Sequence, residues 1–279
     1  MENRIDKAFT HAGKFHADDV FSAALLTYMY PEIVIERGFT VPENYQGLVF
    51  DIGFGEFDHH QEDKRVRENG VPYAAFGLLW EKFGAQIVGE EEAKRFDEKF
   101  IQALDYSDNT GEYSEVTSLI SLFNPSWDSK EDPEHAFFEA VLFAKRILEL
   151  KFKKIESIER AKDVVEEAMK HVEDNIMVME IGAPWKQQVI GTEIEFVVTP
   201  SQRGGFNAQG VPVSEDDQTL KIAFPEEWRG KTKEVLPQIS GIETLHFCHN
   251  SGFLIATMTK EDAIKACKIA KKTSLLAEN

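Results

Sequence analysis

From Asp132 to about Val172 the chain keeps apolar residues at helical spacing, and after Pro133 no Gly or Pro interrupts it. Phe137, Val141, Ala144, Leu148, Phe152 and Ile155 follow the three-and-four repeat of a helix with one buried face. Asp132 stands where an N-cap belongs and Pro133 where the first turn does. A stretch of this length exceeds an ordinary globular helix, so it reads either as two helices or as one joining two domains. It divides the 279 residues into three parts. Residues 1–130 and 176–279 are long enough to build separate cores, and 131–175 connect them.

The part before the long helix alternates in type. Lys7 to His11 reads as a strand, and Asp18 to Met29 as a helix with Val20, Phe21, Ala24, Leu25 and Tyr28 on one side. Ile33 to Ile35 and Leu48 to Phe50 read as further strands. Tyr73–Phe83 and Glu90–Leu104 read as helices. Strand, helix, strand predicts an α/β domain with a mainly parallel sheet flanked by helices. After Asn175 the pattern changes to short strands at 176–181, 195–199, 220–224 and 245–247, then a helix from Thr259 to Lys271. The expected second domain is smaller and of α+β type. Thr259 and Asp262 have the spacing of a weak capping box.

Composition removes several classes of function. No apolar run reaches the roughly 18–20 residues of a membrane helix, so no membrane partner is expected. The opening residues Met1–Asp6 lack the basic-then-apolar order of a secretory signal. Only Cys248 and Cys267 are present, which implies no disulfide framework. A cytoplasmic protein is the expectation. The net charge of −18 argues against a surface for long nucleic acid, where Lys and Arg must neutralise phosphates. It leaves room for a small phosphate-bearing substrate, because bound cations reverse the local field.

Four of the eight His residues fall within the first 60 positions. They occur in Thr10-His11-Ala12-Gly13-Lys14-Phe15-His16-Ala17-Asp18-Asp19 and in Asp58-His59-His60, with Asp51 ending an apolar strand between them. Taken singly, each has a plain reading: His11 as a loop residue, Asp51 as a cap or turn, Asp18 and Asp19 as carboxylates favoured at a helix start. Taken together, those readings need separate coincidences. Imidazole with carboxylate suits Mn, Fe, Zn or Co better than Ca. The carboxyl ends of parallel strands, where His11 and Asp51 are expected, are also where α/β sheets bind ligands. Later, Asp105 and Asp108 stand three apart, so on a helix both could face one cleft.

These residues resemble the DHH phosphoesterase superfamily, whose tripeptide is Asp58-His59-His60 here. More narrowly, the chain resembles the melanocyte-proliferating-gene exonuclease family. The likeness rests on the two segments above and on Phe50-Asp51-Ile52-Gly53. It continues through Asn69-Gly70-Val71-Pro72-Tyr73-Ala74-Ala75-Phe76-Gly77-Leu78-Leu79-Trp80. Late in the chain it includes Pro225-Glu226-Glu227-Trp228-Arg229-Gly230, Ser240-Gly241-Ile242 and His249-Asn250-Ser251-Gly252-Phe253. The resemblance implies a DHH-type first domain with two divalent ions, most often Mn2+. By analogy His11, His16 and Asp51 hold one ion, and Asp18, Asp51, His59 and Asp108 the other, with Asp51 bridging. Asp105 is the reserve for Asp108. His16 departs from the family, where Asp is common at one residue's shorter spacing. A further departure is the segment from Thr199 to Asp217, where relatives carry a longer, basic stretch.

The resemblance further implies a metal-dependent phosphodiester hydrolase, an exonuclease on short single-stranded RNA that activates water between two metals. His60 and Asp51 would act at the reacting phosphate. Arg229, His249, Ser251, Gly252 and Arg203 are the expected substrate contacts, since guanidinium pairs bidentately with phosphate. The competing expectations are a small-molecule phosphatase or pyrophosphatase, and a non-catalytic metal-binding protein of the same fold. A homo-oligomer is compatible with the sequence.

Overall fold

The computed structural model describes residues 5–277. Two compact units divide between Ile155 and Glu156. The fold is mixed α/β, with a three-stranded parallel sheet in the first unit and a five-stranded mixed sheet in the second.

In the first unit, β1 (Lys7–His11) lies between β2 (Val34–Gly38) and β3 (Leu48–Val49). Lys7 pairs with Val34 and His11 with Gly38, while Ala8 pairs with Leu48. All three strands run the same way, so His11 and Asp51 leave neighbouring strands at the same edge. Between β1 and β2 runs α1 (Ala17–Met29), buried from Ala17 to Leu26. Next come α2 (Ala75–Val88), α3 (Glu90–Phe96), a π turn at Asp97–Ile101, α4 (Gln102–Thr110) and α5 (Glu115–Ser121). The expected helix at 90–104 is therefore a longer helical run broken by the π turn. Phe15, Phe21, Phe50, Phe76, Leu79 and Phe137 are among the residues of this unit's core.

The long apolar repeat is one helix, α6 (Pro133–Met169). Asp132 caps it: its carboxylate accepts the Glu134 N–H at 3.1 Å, and its carbonyl accepts the Ala136 N–H. Ala136, Phe137, Ala140, Val141, Ala144, Leu148 and Phe152 belong to the first core. Val165, further along, belongs to a cluster in the second unit.

The second unit adds β4 (Ile176–Val178), α7 (Lys186–Val189), β5 (Phe196–Pro200), β6 (Phe206–Gly210), α8 (Leu236–Ser240), β7 (Phe247–Cys248), β8 (Leu254–Thr257) and α9 (Lys260–Ala277). Strand order is β4-β5-β6-β8-β7, parallel only between β4 and β5. Alternate residues of β5 enter opposite clusters: Phe196 and Val198 on one face, Val197 on the other. The expected strand at 220–224 forms only an isolated bridge from Leu220 to Pro212. Phe206-Asn-Ala-Gln-Gly210, poor in strand-forming residues, is a strand because β5 and β8 pair with it on both sides. The capping box at α9 is half made. The Thr259 hydroxyl accepts the Asp262 N–H, but the Asp262 carboxylate turns to the Thr244 hydroxyl at 2.6 Å. No helix among the described residues is long and apolar enough to cross a membrane.

Candidate metal centre

His11, the last residue of β1, and Asp51, just beyond β3, meet at the carboxyl edge of the sheet. Their Nε2 and Oδ2 atoms are 3.2 Å apart. Asp51 holds a left-handed backbone, φ 54°, which Asp tolerates better than most residues. That conformation turns the chain out of β3 into the loop leading to Asp58-His59-His60. The loop returns His59 to the same point: its Nε2 is 3.2 Å from Asp51 Oδ1 and 3.3 Å from Asp108 Oδ2. The two oxygens of Asp51 thus face two different imidazoles, as a bridging carboxylate requires.

Both imidazoles are held from behind. His11 Nδ1 lies 3.2 Å from the Ala12 carbonyl, and His59 Nδ1 lies 3.4 Å from Asn109 Oδ1. The Asn109 amide is itself oriented, because its Nδ2 donates to the carbonyls of Tyr73 and Asp105. Each Nδ1 is thus engaged away from the centre, and each Nε2 faces the carboxylates, the direction in which metal-binding histidines present theirs. His60 is different. Asp58 takes its Nδ1 at 2.7 Å and its backbone N–H at 3.1 Å, leaving Nε2 for a substrate. His60 lines the cleft and is half exposed.

The adjacent pair on α1 divides its labour. Asp19 Oδ1 accepts the His16 N–H at 2.8 Å and so caps the helix. Its Oδ2 lies 3.2 Å from His11 Nε2. Asp18 sends both oxygens to the start of α2, accepting from the Ala75 N–H at 2.9 Å and the Phe76 N–H at 2.7 Å. It stands in for a missing cap there, since Ala74 has no side chain to supply one. Each carboxylate oxygen has a second lone pair, and Asp18 Oδ2 remains 3.9 Å from His59 Nε2.

Three sets of donors are close enough to hold a cation: His11 with Asp19 and Asp51; Asp18 with His59 and Asp108; and Asp51 with His59 and His60. Asp19 Oδ2, Asp51 Oδ1 and His59 Nε2 are buried without a hydrogen-bond partner. The His59–Asp51 pair is 3.2 Å apart yet lacks hydrogen-bond alignment. Leaving such atoms unsatisfied costs roughly 1–3 kcal/mol each. A cation held by Asp19 with Asp51 and one held by Asp51 with His59 would between them satisfy all three, so the donor set fits divalent metal.

The electrostatics agree. Burial pushes the Asp18 carboxyl well above its usual range, and the nearby Asp51 and Asp108 carboxylates add to it. Burial and Asp51 raise Asp108. Burial takes Asp19 to about 7 despite His11. For Asp51 burial acts upward too, but the two imidazoles bring it down to about 2. Burial works against charge on His11, yet Asp51 and Asp19 lift it to about 9. At pH 7 a cation-free centre therefore holds protons on His11 and partly on Asp19. A cation needs those lone pairs, so binding expels protons and affinity rises with pH up to about 9. Titration calorimetry with Mn2+ at pH 7, in buffers of different ionisation heat, is expected to show about one or more protons released per protein. Equal heats in all buffers would contradict this.

The structure redistributes the sequence expectations. His11, Asp18, Asp51, His59 and Asp108 converge, whereas His16 stands outside the three close sets. It is exposed at the start of α1 and lines the same cleft, its ring centroid 6.1 Å from that of His11. Asp19, not His16, stands beside His11 in the close donor set. Its signal was visible, but a carboxylate in a first helical turn is explained by the dipole alone. Asp105 does not share the cleft with Asp108. It is wholly buried, accepting from Arg67 Nη2 at 2.7 Å and from the Gly77 N–H at 3.2 Å. Asn109 carried no sequence signal beyond a turn.

Of the expected substrate contacts, four gather in the second unit. Arg229 Nε donates to the Phe224 carbonyl at 3.0 Å. Gly252, φ 70°, lies against this side chain: a Cβ there would be 2.6 Å from Arg229 Nε. The turn that carries it is held by His249 Nδ1 and the Ser251 hydroxyl, 2.9 Å apart. The Gly230 N–H reaches the Cys248 carbonyl. Two distant motifs therefore form one cluster. Arg203 is exposed in the 201–205 turn, and no contact given for the described residues joins it to that cluster.

Residues 7–271 match a family model, MYG1_exonuc, described as "Uncharacterised protein family (UPF0160)". The chain is 30% identical over 328 residues to "MYG1 exonuclease" of Rattus norvegicus, covering 95% of this chain and 85% of that protein. It is 27% identical to "MYG1 protein" of Dictyostelium discoideum over 307 residues, covering 91% and 93%. A "MYG1 protein" of Chlamydia pneumoniae is 27% identical over 282 residues, covering 93% and 94%.

Proposed function

The chain belongs to the MYG1 exonuclease family, and from that membership we propose that it is a DHH-type, metal-dependent phosphodiester hydrolase. Its substrate in this reading is short single-stranded RNA, degraded from one end. The observation that carries the reading is that Asp19 Oδ2, Asp51 Oδ1 and His59 Nε2 are all buried without hydrogen-bond partners and belong to close donor sets that share Asp51. A packed protein keeps such atoms apart or pairs them; a centre for divalent cations needs them together.

His11, Asp19 and Asp51 would hold one cation, and Asp18, Asp51, His59 and Asp108 a second, with Asp51 common to both. Two such cations, Mn2+ in the first instance, would supply Lewis acidity and an activated water. The protein's own contribution is positioning. Ala12 and Asn109 fix the two imidazoles, Asp18 ties the centre to the start of α2, and Asp58 aims His60. His60 Nε2 is placed to hold a proton for a phosphate oxygen. In the second unit, Arg229 would grip a phosphate with the amino groups that its Phe224 contact leaves over. His249, Ser251 and Gly252 would line its path, and Arg203 would add charge.

The test is a panel of RNA and DNA oligomers of two to ten nucleotides, labelled at either end, together with pyrophosphate, each incubated with Mn2+. Stepwise shortening of RNA from one end is expected. Turnover of pyrophosphate with every diester intact would replace the reading with a phosphatase. Inert substrates under Mn2+, Mg2+, Co2+ and Zn2+ alike would leave a metal-binding protein without this chemistry.

A further inference from the structure

The metal cleft, about 970 Å³, is walled by more than donors. Phe54 and Tyr113 also line it, yet they are 72% and 82% exposed. A single exposed aromatic on a surface needs no explanation. Two at the mouth of one acidic cleft do, because neither carboxylates nor cations have any use for an apolar ring.

Phe54 is not a loose loop residue. Its backbone sits at φ 56°, a region that non-glycine residues rarely adopt. Asp58 Oδ2 holds it there by accepting the Phe54 N–H at 2.7 Å. The other oxygen of the same carboxylate holds the ring of His60. One residue therefore fixes both the exposed phenyl and the imidazole beside the metal donors. Strain of this kind, kept at a functional cleft, is characteristic of sites built to hold a ligand. Tyr113 is placed by the other side of the centre. It follows Gly111, φ 74°, which ends α4 just beyond Asp108. Both rings hang from segments that have just delivered a metal donor.

We propose that Phe54 and Tyr113 are stacking platforms for nucleobases of the substrate. They make the centre selective for base-bearing diesters over pyrophosphate and simple phosphate esters. The inference rests on the hydrolase reading above and adds the residues that select its substrate. Stacking of this type tolerates any base, because every base has a π-face. It also suits a chain of net charge −18, since the rings bring affinity where basic residues are few.

The test has two arms on the full-length protein. In the first, a 2-aminopurine dinucleotide with a non-hydrolysable methylenephosphonate link is titrated in the presence of Mn2+, and its fluorescence is followed. Stacking quenches it. The wild type is expected to quench, and Phe54→Ala and Tyr113→Ala each to bind about tenfold more weakly. Phe54→Trp is expected to restore quenching, whereas Phe54→Leu, equally apolar, is not. Affinity and quenching retained in both alanine variants would overturn the proposal. In the second arm, hydrolysis of a dinucleotide is compared with that of its analogue carrying hydrogen in place of each base. The ratio of kcat/KM between the two is expected to fall about tenfold in each alanine variant, and an unchanged ratio would also overturn it. If the wild type cleaves neither diester, the hydrolase reading fails, and the fluorescence arm still decides the stacking.

Discussion

Asp51→Asn is expected to abolish the proposed metal-supported phosphodiester hydrolysis while leaving the folded first unit intact. The side chain is the meeting point of the centre: one oxygen faces His11 and the other His59, each at 3.2 Å. An amide keeps the shape but loses the charge and one acceptor. Lewis acid assistance in such centres is worth several kcal/mol, so the expected loss in kcat is on the order of 10³-fold or more. The fold survives because Asp51 contributes to the first unit mainly through its backbone, whose N–H donates to the Phe57 carbonyl. Thermal unfolding with and without Mn2+ separates the two effects. At 100 times its dissociation constant, a bound cation stabilises by about 2.7 kcal/mol. The wild type is expected to gain that increment and Asp51→Asn little of it. A variant that still hydrolyses diesters at a tenth of the wild-type rate would remove Asp51 from the centre.

The convergence behind that prediction was partly legible in the chain. His11 and Asp51 could be read because each closes an apolar strand, and parallel strands bring such ends together. His59 and Asp108 could be nominated from residue type and spacing, but their place as ligands came only with the motif resemblance; nothing in local periodicity says that residue 59 returns to residue 51. What the sequence concealed is double use. Asp18 and Asp19 are helix-start carboxylates and also members of the cluster: Asp19 gives a different oxygen to each task, while Asp18 uses Oδ2 for both. Asn109 was illegible for a related reason: its role depends on two carbonyls from separate segments that fix its amide.

The fold shows the same division between local and non-local causes. The long helical repeat and its cap could be read, because their determinants lie within it, though not whether it forms one helix or two. Two of the strands in the second sheet could not. Phe206–Gly210 owes its conformation to partners on both sides. The π turn at Asp97–Ile101 is another such case. It adds one residue to the helical run, so Asp97 and Asp105, eight apart, come to one face as residues seven apart would. Only the partner on that face, Arg67, makes the insertion intelligible.

Arg67 is the second position where a single change has a large expected effect, here on stability. Its guanidinium donates to both oxygens of Asp97, to Asp105 and to the Pro72 carbonyl, and lies over the Tyr73 ring at 3.8 Å. Gly77 completes the arrangement: a Cβ there would run into the Asp105 carboxylate and Arg67. Arg67→Met removes the only cation placed against Asp105 among the described residues, and Asp105 is wholly buried. Breaking a buried pair from one side costs about 3–5 kcal/mol. Burial already carries the Asp105 carboxyl up to about 7 with Arg67 beside it, and without Arg67 it rises further. A carboxyl whose folded pKa lies above its unfolded value favours folding at low pH, and that contribution is lost as pH rises through the folded value. The deficit of Arg67→Met measured by urea unfolding is therefore expected to be larger at pH 8 than at pH 5. Adding Asp105→Asn, which keeps the oxygen facing the Gly77 N–H, should recover more than half of it. A deficit below about 1 kcal/mol, the range of an exposed ion pair, or one equal at both pH values would show that Asp105 is not buried as a charge. The consequence reaches the metal centre through covalent geometry. Gly77 belongs to the first turn of α2, whose amides hold Asp18, and Asp105 precedes Asp108 by three residues on α4. The ion pair thus joins α4, which presents Asp108, to the start of α2, whose amides orient Asp18. A loss of Mn2+ affinity that tracks the loss of stability, and returns with Asp105→Asn, is the expected signature.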